Sequence, residues 1–263
     1  MTTHVDLPGG RLETLDLAGD PSRPPLVLLH EGLGSVGLWR DFPAALNRAS
    51  GSRTVAFSRY GHGRSAPPAR PRGPAFMDEE ALDVLPAMLT ALAIERPLLV
   101  GHSDGATIAL IHAAHHDVAG LVLIAPHVLV EHVTLEAVAA AREAFEHGGL
   151  RERLSRHHDD PGVTFHGWCD VWLDPAFSDW SIEAALPAIT APALVVQGRD
   201  DPYGSTAQVD AIARGSGGPV EALVVAGGHA PHVEHTREVL DAIVRFVTTA
   251  CSTVASRSAN VTP

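Results

Sequence analysis

Residues 99–106 read Leu-Val-Gly-His-Ser-Asp-Gly-Ala, a small-x-Ser-x-small pattern between an apolar run and a helix-forming stretch. A serine in this pattern is predicted to occupy a sharp turn from strand to helix. Glycine is needed at 101 and 105 because a Cβ atom there would collide with the chain as it folds back. The hydroxyl of Ser103 then stands clear of the sheet beside the backbone N–H groups of a helix start, which suits a nucleophile.

Short apolar runs on either side of this turn predict the rest of the sheet. The runs are Leu26–His30, Thr54–Phe57, Pro97–Val100, Leu121–Ala125, Ala193–Val196 and Ala222–Val225. Helical stretches separate them, among them Met77–Leu92, Ala106–His116 and Arg237–Thr248. Alternation of buried strands and helices predicts an α/β fold with a doubly wound, mainly parallel sheet. Two alternating segments around Val5 and residues 13–16 flank Pro8-Gly9-Gly10 and predict an antiparallel edge hairpin.

One segment breaks the alternation of strands and helices. Residues 127–189 contain no strong buried strand but concentrate aromatic side chains. We predict that this segment is a helical cap, inserted after the sixth strand when the edge hairpin is counted. The α/β core then comprises residues 1–126 and 190–250. The small, polar residues 251–263 are expected to form a disordered tail.

Composition restricts the class of protein. The formal net charge of −12 disfavours binding to nucleic acid. No apolar run approaches the roughly 20 residues that a membrane helix needs, and the first residues do not resemble a signal peptide. Two cysteines form no disulfide framework, so we expect a cytoplasmic protein. We expect a small-molecule substrate and no nucleic-acid or membrane partner; the oligomeric state is open.

Two further motifs follow predicted strands and supply the partners that a serine nucleophile requires. A neutral serine needs a base, which a third group orients. Residues 197–202, Gln-Gly-Arg-Asp-Asp-Pro, follow the fifth apolar run, and residues 227–232, Gly-Gly-His-Ala-Pro-His, follow the sixth. The order Ser, Asp, His along the chain is the one expected for a nucleophile on this kind of turn. Joint occurrence of the three motifs favours catalysis over isolated structural roles.

With these motifs, residues 3–250 resemble the α/β-hydrolase fold superfamily, and in particular its serine-nucleophile esterases and lactonases. The resemblance rests on the turn at 101–105, Gly-x-x-Asp at 198–201, Gly-His at 228–229 and the His-x-Gly region at 30–34. It implies that Ser103, Asp201 and His229 form the catalytic triad. Asp200 and His232 are the alternatives for the acid and the base. Ser58 stands where the related turn motif usually has an aspartate.

The resemblance also implies an oxyanion hole built from two backbone N–H groups. One belongs to Asp104, directly after the nucleophile. The other comes from the loop after His30, where this chain reads His-Glu-Gly-Leu-Gly rather than the usual His-Gly. Counting from His30 indicates Gly32 as the donor, whereas treating Glu31 as an insertion indicates Leu33.

Three features bear on the choice of substrate. The Asp104 carboxylate could hold an ammonium group, but pairing with a basic side chain such as Arg59 is favoured, because buried carboxylates are normally paired. Trp168 and Trp172 lie one helical turn apart and either line a pocket or form the interior of the cap. Residues 157–160, His-His-Asp-Asp, lack the spacing of a metal site, and a solvated loop or a polar rim to the pocket is expected instead.

These observations predict a serine hydrolase that needs no cofactor and no metal and cleaves a small carboxylic ester, lactone or thioester. Two alternatives stay open. The same triad serves enzymes that cleave C–C bonds, or perhydrolases. A ligand receptor with slow turnover would also retain the triad, and it would differ by signalling through its cap.

Overall fold

A computed structural model describes residues 2–259, with side-chain environments described for residues 2–249. The eight strands are β1 Thr3–Leu7, β2 Gly10–Leu17, β3 Leu26–Leu29, β4 Thr54–Phe57, β5 Leu98–His102, β6 Gly120–Ile124, β7 Ala193–Gly198 and β8 Val220–Val225. The α-helices are α1 Phe42–Ser50, α2 Phe76–Glu79, α3 Leu85–Ala91, α4 Asp104–His115, α5 His132–His147, α6 Leu150–Ser155, α7 Pro161–Trp172, α8 Thr206–Gly215, α9 Pro231–Glu234 and α10 Thr236–Ala259.

The strands form one sheet in the order β1-β2-β4-β3-β5-β6-β7-β8. The hairpin β1–β2 joins the edge in antiparallel register, and β3 to β8 pair in parallel. This arrangement confirms the predicted α/β class and the edge hairpin. Because the carboxyl ends of parallel strands lie at one edge, the loops that follow β3, β5, β7 and β8 are brought together there.

The sheet separates two apolar layers, as the period of two along a strand requires. In β3, Val27 and Leu29 pack into one layer, whereas Leu26 and Leu28 pack into the other. The first layer also contains α3, α4 and side chains from residues 127–189, and the second contains α1 and α10. Helix α4 is buried over almost its full length, which holds the turn before it in a fixed position.

The segment predicted to be a cap, which we call the cap segment (residues 127–189), contains α5, α6, α7 and two 3₁₀ helices, Pro175–Phe177 and Glu183–Ala188. The hydrogen bond from the Ile182 N–H to the Val128 carbonyl, 2.8 Å long, ties its two ends together. Aromatic contacts fill its interior, including the stacked rings of Phe145 and Phe165.

Two helices differ from the sequence-based expectation. The predicted helix over Met77–Leu92 is continuous but contains a π-helical turn, Glu80–Val84, between α2 and α3. Helix α10 continues to Ala259, so the tail expected to be disordered from residue 251 is helical that far; residues 260–263 lie outside the described residues. Within the described part of the chain, no helix combines the length and the apolar character that crossing a membrane would require.

Candidate active site

Ser103 lies on the sharp turn between β5 and α4 that the sequence predicted. Its backbone has φ 54° and ψ −122°, a positive-φ conformation that few non-glycine residues adopt. A Cβ atom on Gly101 would collide with the backbone of Gly105 and Ala106, and one on Gly105 would collide with the carbonyl of Leu29. Glycine at both positions therefore allows α4 to pack directly over the strands and presents the Ser103 side chain at the sheet edge.

Three side chains form a hydrogen-bonded relay at this edge. The Nε2 atom of His229 lies 2.9 Å from Oγ of Ser103, and Nδ1 of His229 lies 2.8 Å from Oδ2 of Asp201. His229 follows β8 and Asp201 follows β7, so the parallel sheet brings both to the end of β5. The structure thus brings together the three residues predicted as the triad.

The environment of Asp201 keeps its carboxylate ionised and fixed in orientation. Gln197 Nε2 donates to Oδ2 and the Tyr203 backbone N–H donates to Oδ1, both over 2.8 Å. Burial raises the pKa of Asp201, but the hydrogen bond and charge of His229, together with these donors, outweigh burial and lower the pKa below its usual value. An ionised acceptor at this position selects the His229 tautomer with its proton on Nδ1, leaving Nε2 free to accept from Ser103.

The alternative acid and base lie elsewhere. Asp200 is exposed, and its backbone N–H donates to the Gly227 carbonyl over 2.9 Å. His232 is buried against the rings of Trp39 and Phe42. Neither side chain hydrogen-bonds to a member of the relay.

A cavity of about 260 Å³ opens beside Ser103 and is lined by residues from the core and from the cap segment. Gly32, Leu33 and Asp104, the three residues predicted for the oxyanion hole, all line it. A Cβ atom on Gly32 would collide with the Trp168 ring, which explains glycine at this position. The assignment of the second oxyanion donor to Gly32 or Leu33 stays a prediction.

Trp168 and Trp172 combine both roles that the sequence left open. Both line the cavity. Trp168 also packs edge-on against Phe165, and Trp172 packs against Phe177 within the cap segment. Their indole rings therefore join the interior of the cap segment to the wall of the cavity.

Asp104 and Arg59 make no direct hydrogen bond or salt bridge, so their expected pairing is limited to the attraction between their charges. The guanidinium of Arg59 donates instead to the backbone carbonyls of His30 and Glu31. Asp104 is 1% exposed and accepts a 3.2 Å hydrogen bond from Nε1 of Trp172 on Oδ1. Its Oδ2 atom has no hydrogen-bond partner among the described residues. Burial raises the pKa of Asp104 above its usual value, although the charges of Arg59 and Arg72 partly oppose this.

Sequence reasoning missed a second group of polar residues in the cavity wall. Glu31 Oε2 lies 3.4 Å from Nδ1 of His102, and Nε2 of His102 donates to the His229 carbonyl over 2.7 Å. Burial raises the pKa of Glu31, but the hydrogen bond and charge of His102 outweigh it and lower the pKa to about 2. His127 also lines the cavity, and burial lowers its pKa to about 3. Glu31 and His127 each lie just after the carboxyl end of a strand, and this position in the sequence could have indicated that they line the site.

The His-His-Asp-Asp motif at residues 157–160 forms the expected loop, between α6 and α7 and with Asp159 and Asp160 exposed, but one of its members is buried. His158 is only 2% exposed and hydrogen-bonds to backbone atoms on both ring nitrogens. Asp160 caps the start of α7 by accepting from two backbone N–H groups. Among the residues that the structure describes, no group of three or more His, Cys, Asp or Glu side chains is arranged to hold a metal ion.

The fold and this geometry agree with a comparison against known families. Residues 26–242 match the family described as the alpha/beta hydrolase family. The chain belongs to the alpha/beta hydrolase family. Membership confirms the resemblance that the sequence motifs indicated and the fold that it implied.

Individual alpha/beta hydrolases match different portions of this chain. A Variovorax paradoxus (strain S110) protein, provisionally named carbamate hydrolase RutD, is 31% identical over 257 residues, 86% of this chain and 94% of that protein. The human (Lyso)-N-acylphosphatidylethanolamine lipase is 30% identical over 131 residues, 48% of this chain but only 37% of the lipase. A carboxylesterase structure from Nitrososphaera gargenis covers 95% of this chain and all of its own, with a TM-score of 0.78 at 21% identity, which shows a shared fold.

Proposed function

We propose that this alpha/beta hydrolase is a serine hydrolase that cleaves a small carboxylic ester, lactone or thioester through an acyl-enzyme. One observation carries the proposal: Ser103 Oγ, His229 and Asp201 form an unbroken hydrogen-bonded relay that opens into a cavity. A nucleophile, a base and an orienting carboxylate in this arrangement are the minimum that acyl transfer by a serine requires.

The relay supports a two-stage reaction. His229 Nε2 takes the Ser103 proton as Oγ attacks the substrate carbonyl, and it then donates that proton to the departing alcohol or thiol. Asp201 stabilises the imidazolium that forms between these steps. Water then attacks the acyl-enzyme as His229 accepts the water's proton. The bond between the acyl carbon and Oγ breaks, His229 returns the proton to Oγ, and the released acid leaves Ser103 and His229 in their starting states. Backbone N–H groups of Asp104 and of Gly32 or Leu33 hold the oxyanion in both stages.

The cavity favours a compact substrate. Its volume of about 260 Å³ lies below the range usual for drug-sized ligands, and two indole rings, Trp168 and Trp172, form part of its wall. The relatives' names support hydrolysis of an acyl bond and range over a carboxylesterase, a lipase and a carbamate hydrolase. An activated ester of a short acid is therefore the first substrate to test.

The proposal is tested with panels of esters, lactones and thioesters of increasing acyl length, together with a fluorophosphonate probe. Wild-type protein is expected to turn over short esters and to carry the probe on Ser103. The Ser103→Ala variant is expected to remain folded, escape labelling and lose several orders of magnitude in kcat, because binding and the oxyanion hole alone retain about 10³ over water. A folded Ser103→Ala variant with a tenth of wild-type activity would contradict the proposed nucleophile.

A further inference from the structure

The loop at residues 31–33, which we call the oxyanion loop, is held by three buried histidines. Each of its consecutive backbone carbonyls accepts a hydrogen bond from a different imidazole ring. The bonds run from His30 Nδ1 to the Glu31 carbonyl over 2.7 Å, from His62 Nε2 to the Gly32 carbonyl over 2.9 Å, and from His158 Nε2 to the Leu33 carbonyl over 3.0 Å. We call His30, His62 and His158 the histidine clamp.

In two rings of the clamp, a backbone N–H on the side away from the loop fixes which ring nitrogen carries the proton. The Arg59 backbone N–H donates to Nε2 of His30 over 3.0 Å, and the Gly63 backbone N–H donates to Nδ1 of His158 over 2.9 Å. A ring nitrogen that accepts carries no proton, so the other nitrogen carries the N–H that faces the loop carbonyl. Burial, the largest influence on all three rings, lowers the pKa of each histidine in the clamp.

Holding the carbonyls also orients the amides between them. In a planar trans peptide the C=O of one residue and the N–H of the next point in opposite directions. His30 therefore fixes the direction of the Gly32 N–H, and His62 fixes that of the Leu33 N–H. His158 holds the far end of the loop, where the Gly34 N–H closes a turn by donating to the Glu31 carbonyl over 3.0 Å.

His158 differs from the other two members because the cap segment carries it, between α6 and α7. Its neighbours bind the turn at residues 61–64 of the core. The Asp159 N–H donates to the Gly63 carbonyl over 3.0 Å, and Thr164 Oγ1 donates to the Gly61 carbonyl over 2.6 Å. The Asp159 carboxylate also pairs with Arg64. The cap segment is therefore fastened to the core directly beside the oxyanion loop.

We propose that His158 is a positioning residue through which the cap segment holds the oxyanion loop in register with Ser103. The cap segment then contributes to the chemical step itself and not to substrate selection alone. This inference rests on the proposed acyl-transfer function, because the loop matters only where an oxyanion forms. It concerns a residue that touches neither the substrate nor the relay.

Two amide variants separate the donor at His158 from its other contacts. In His158→Gln, the side-chain amide retains an N–H at about the reach of Nε2 and still donates to the Leu33 carbonyl. In His158→Asn, the shorter side chain still accepts from the Gly63 N–H but does not reach Leu33. His157→Ala is the matched control, since this adjacent, partly exposed histidine makes no hydrogen bond to the oxyanion loop.

The measurement is kcat and KM on an acetate ester, whose acyl group is short, with the affinity for an alkyl boronic acid that mimics the tetrahedral intermediate. Loss of one oxyanion donor costs about 10²–10³ in kcat. For His158→Asn we expect a loss of about tenfold or more in kcat and in boronate affinity, with KM within threefold. His158→Gln is expected within threefold of wild type, and His157→Ala within twofold.

Equal kcat in folded His158→Asn and His158→Gln would overturn the inference, as would a loss confined to KM. If the asparagine variant does not fold, His158→Met, which has similar length and no donor, replaces it in the comparison with His158→Gln. Absence of Ser103-dependent turnover in wild type would refute only the proposed function. In that case, hydrogen exchange of the peptide spanning residues 31–34 still tests whether His158 holds the oxyanion loop. Faster exchange in the variant without the donor supports the inference, and equal exchange refutes it.

Discussion

The Nε2 atom of His229 lies 2.9 Å from Oγ of Ser103, although 126 positions separate the two residues along the chain. The contact exists because β5 and β8 belong to one parallel sheet and end at the same edge. Ser103 directly follows β5, and His229 lies in the short loop after β8, so both side chains lie at that edge. This relationship underlies the predictions on the relay.

Replacing Asp201 by Asn is expected to lower kcat by about 10³ or more, whereas Asp200→Asn is expected to stay within threefold of wild type. An amide at 201 cannot stabilise the His229 cation and would favour the wrong tautomer. Asp200 is exposed and outside the relay. Steady-state kinetics on one short ester decides the ranking, and the reverse order would reassign the acid to Asp200.

His229→Gln and His232→Gln form the corresponding pair for the base. We expect His229→Gln to reduce kcat by about 10³ or more, since no general base then activates Ser103. His232 packs against Trp39 and Phe42, so its replacement is expected to lower the melting temperature. Its effect on kcat is expected to be much smaller than that of His229→Gln. Thermal unfolding and kinetics on both variants test this, and a greater loss of kcat in His232→Gln would be incompatible with the assignment.

Trp168→Ala is expected to shift the preference to longer acyl chains, because removing the indole ring from the wall enlarges the cavity. Labelling of Ser103 by a small fluorophosphonate is expected to persist, because the relay is untouched. Trp180→Ala serves as control: this tryptophan packs against Trp172 within the cap segment but does not line the cavity. A uniform loss of activity across all chain lengths in Trp168→Ala, with unchanged folding, would argue against a role in the pocket.

Asp104 is expected to favour esters that carry an ammonium group near the carbonyl. Its buried Oδ2 lacks a hydrogen-bond partner among the described residues, and Asp104 lines the cavity. A charge pair there is worth about 1–3 kcal/mol, or up to roughly a hundredfold in kcat/KM. Asp104→Asn should erase the preference while keeping the backbone N–H. The measurement is kcat/KM for a matched cationic and neutral ester pair at low and high salt; equal values in wild type would exclude this role.

Glu31 provides a prediction on stability and pH. Its pKa in the folded protein is about 2, below the ordinary value of 4.5, so the ionised form stabilises the fold. That contribution is complete above about pH 4.5 and disappears as the pH falls towards 2. Glu31→Gln should therefore lower the free energy of unfolding at pH 7 by about 1–2 kcal/mol, an amount reduced by partial exposure of the side chain. Urea unfolding at several pH values tests this; a difference that does not shrink at low pH would contradict it.

Residues whose position depends on the order of strands in the sheet could be predicted from the sequence. Residues whose surroundings depend on how the cap segment packs against the core could not. Ser103, Asp201 and His229 each lie within four residues of the end of a strand, and parallel strands end at the same edge of the sheet. The hydrogen-bond partner of Asp104 is instead Trp172 of the cap segment, and the Arg59 guanidinium donates to the carbonyls of His30 and Glu31. His158 was misjudged because its burial depends on how the cap segment packs against residues 31–33 and 61–64. Local pattern carries no information on that packing.

The positive-φ backbone of Ser103 has a consequence for how the stability of the fold and its activity are balanced. A non-glycine residue in this conformation destabilises the native state by about 1–3 kcal/mol, and glycine would relieve that strain. A protein selected only for thermodynamic stability would therefore drift away from serine at this position and lose its nucleophile. The surrounding sheet and the buried α4 supply a surplus of stability that tolerates the strain. Engineering for heat resistance should accordingly leave residue 103 fixed and seek its gains elsewhere in the chain.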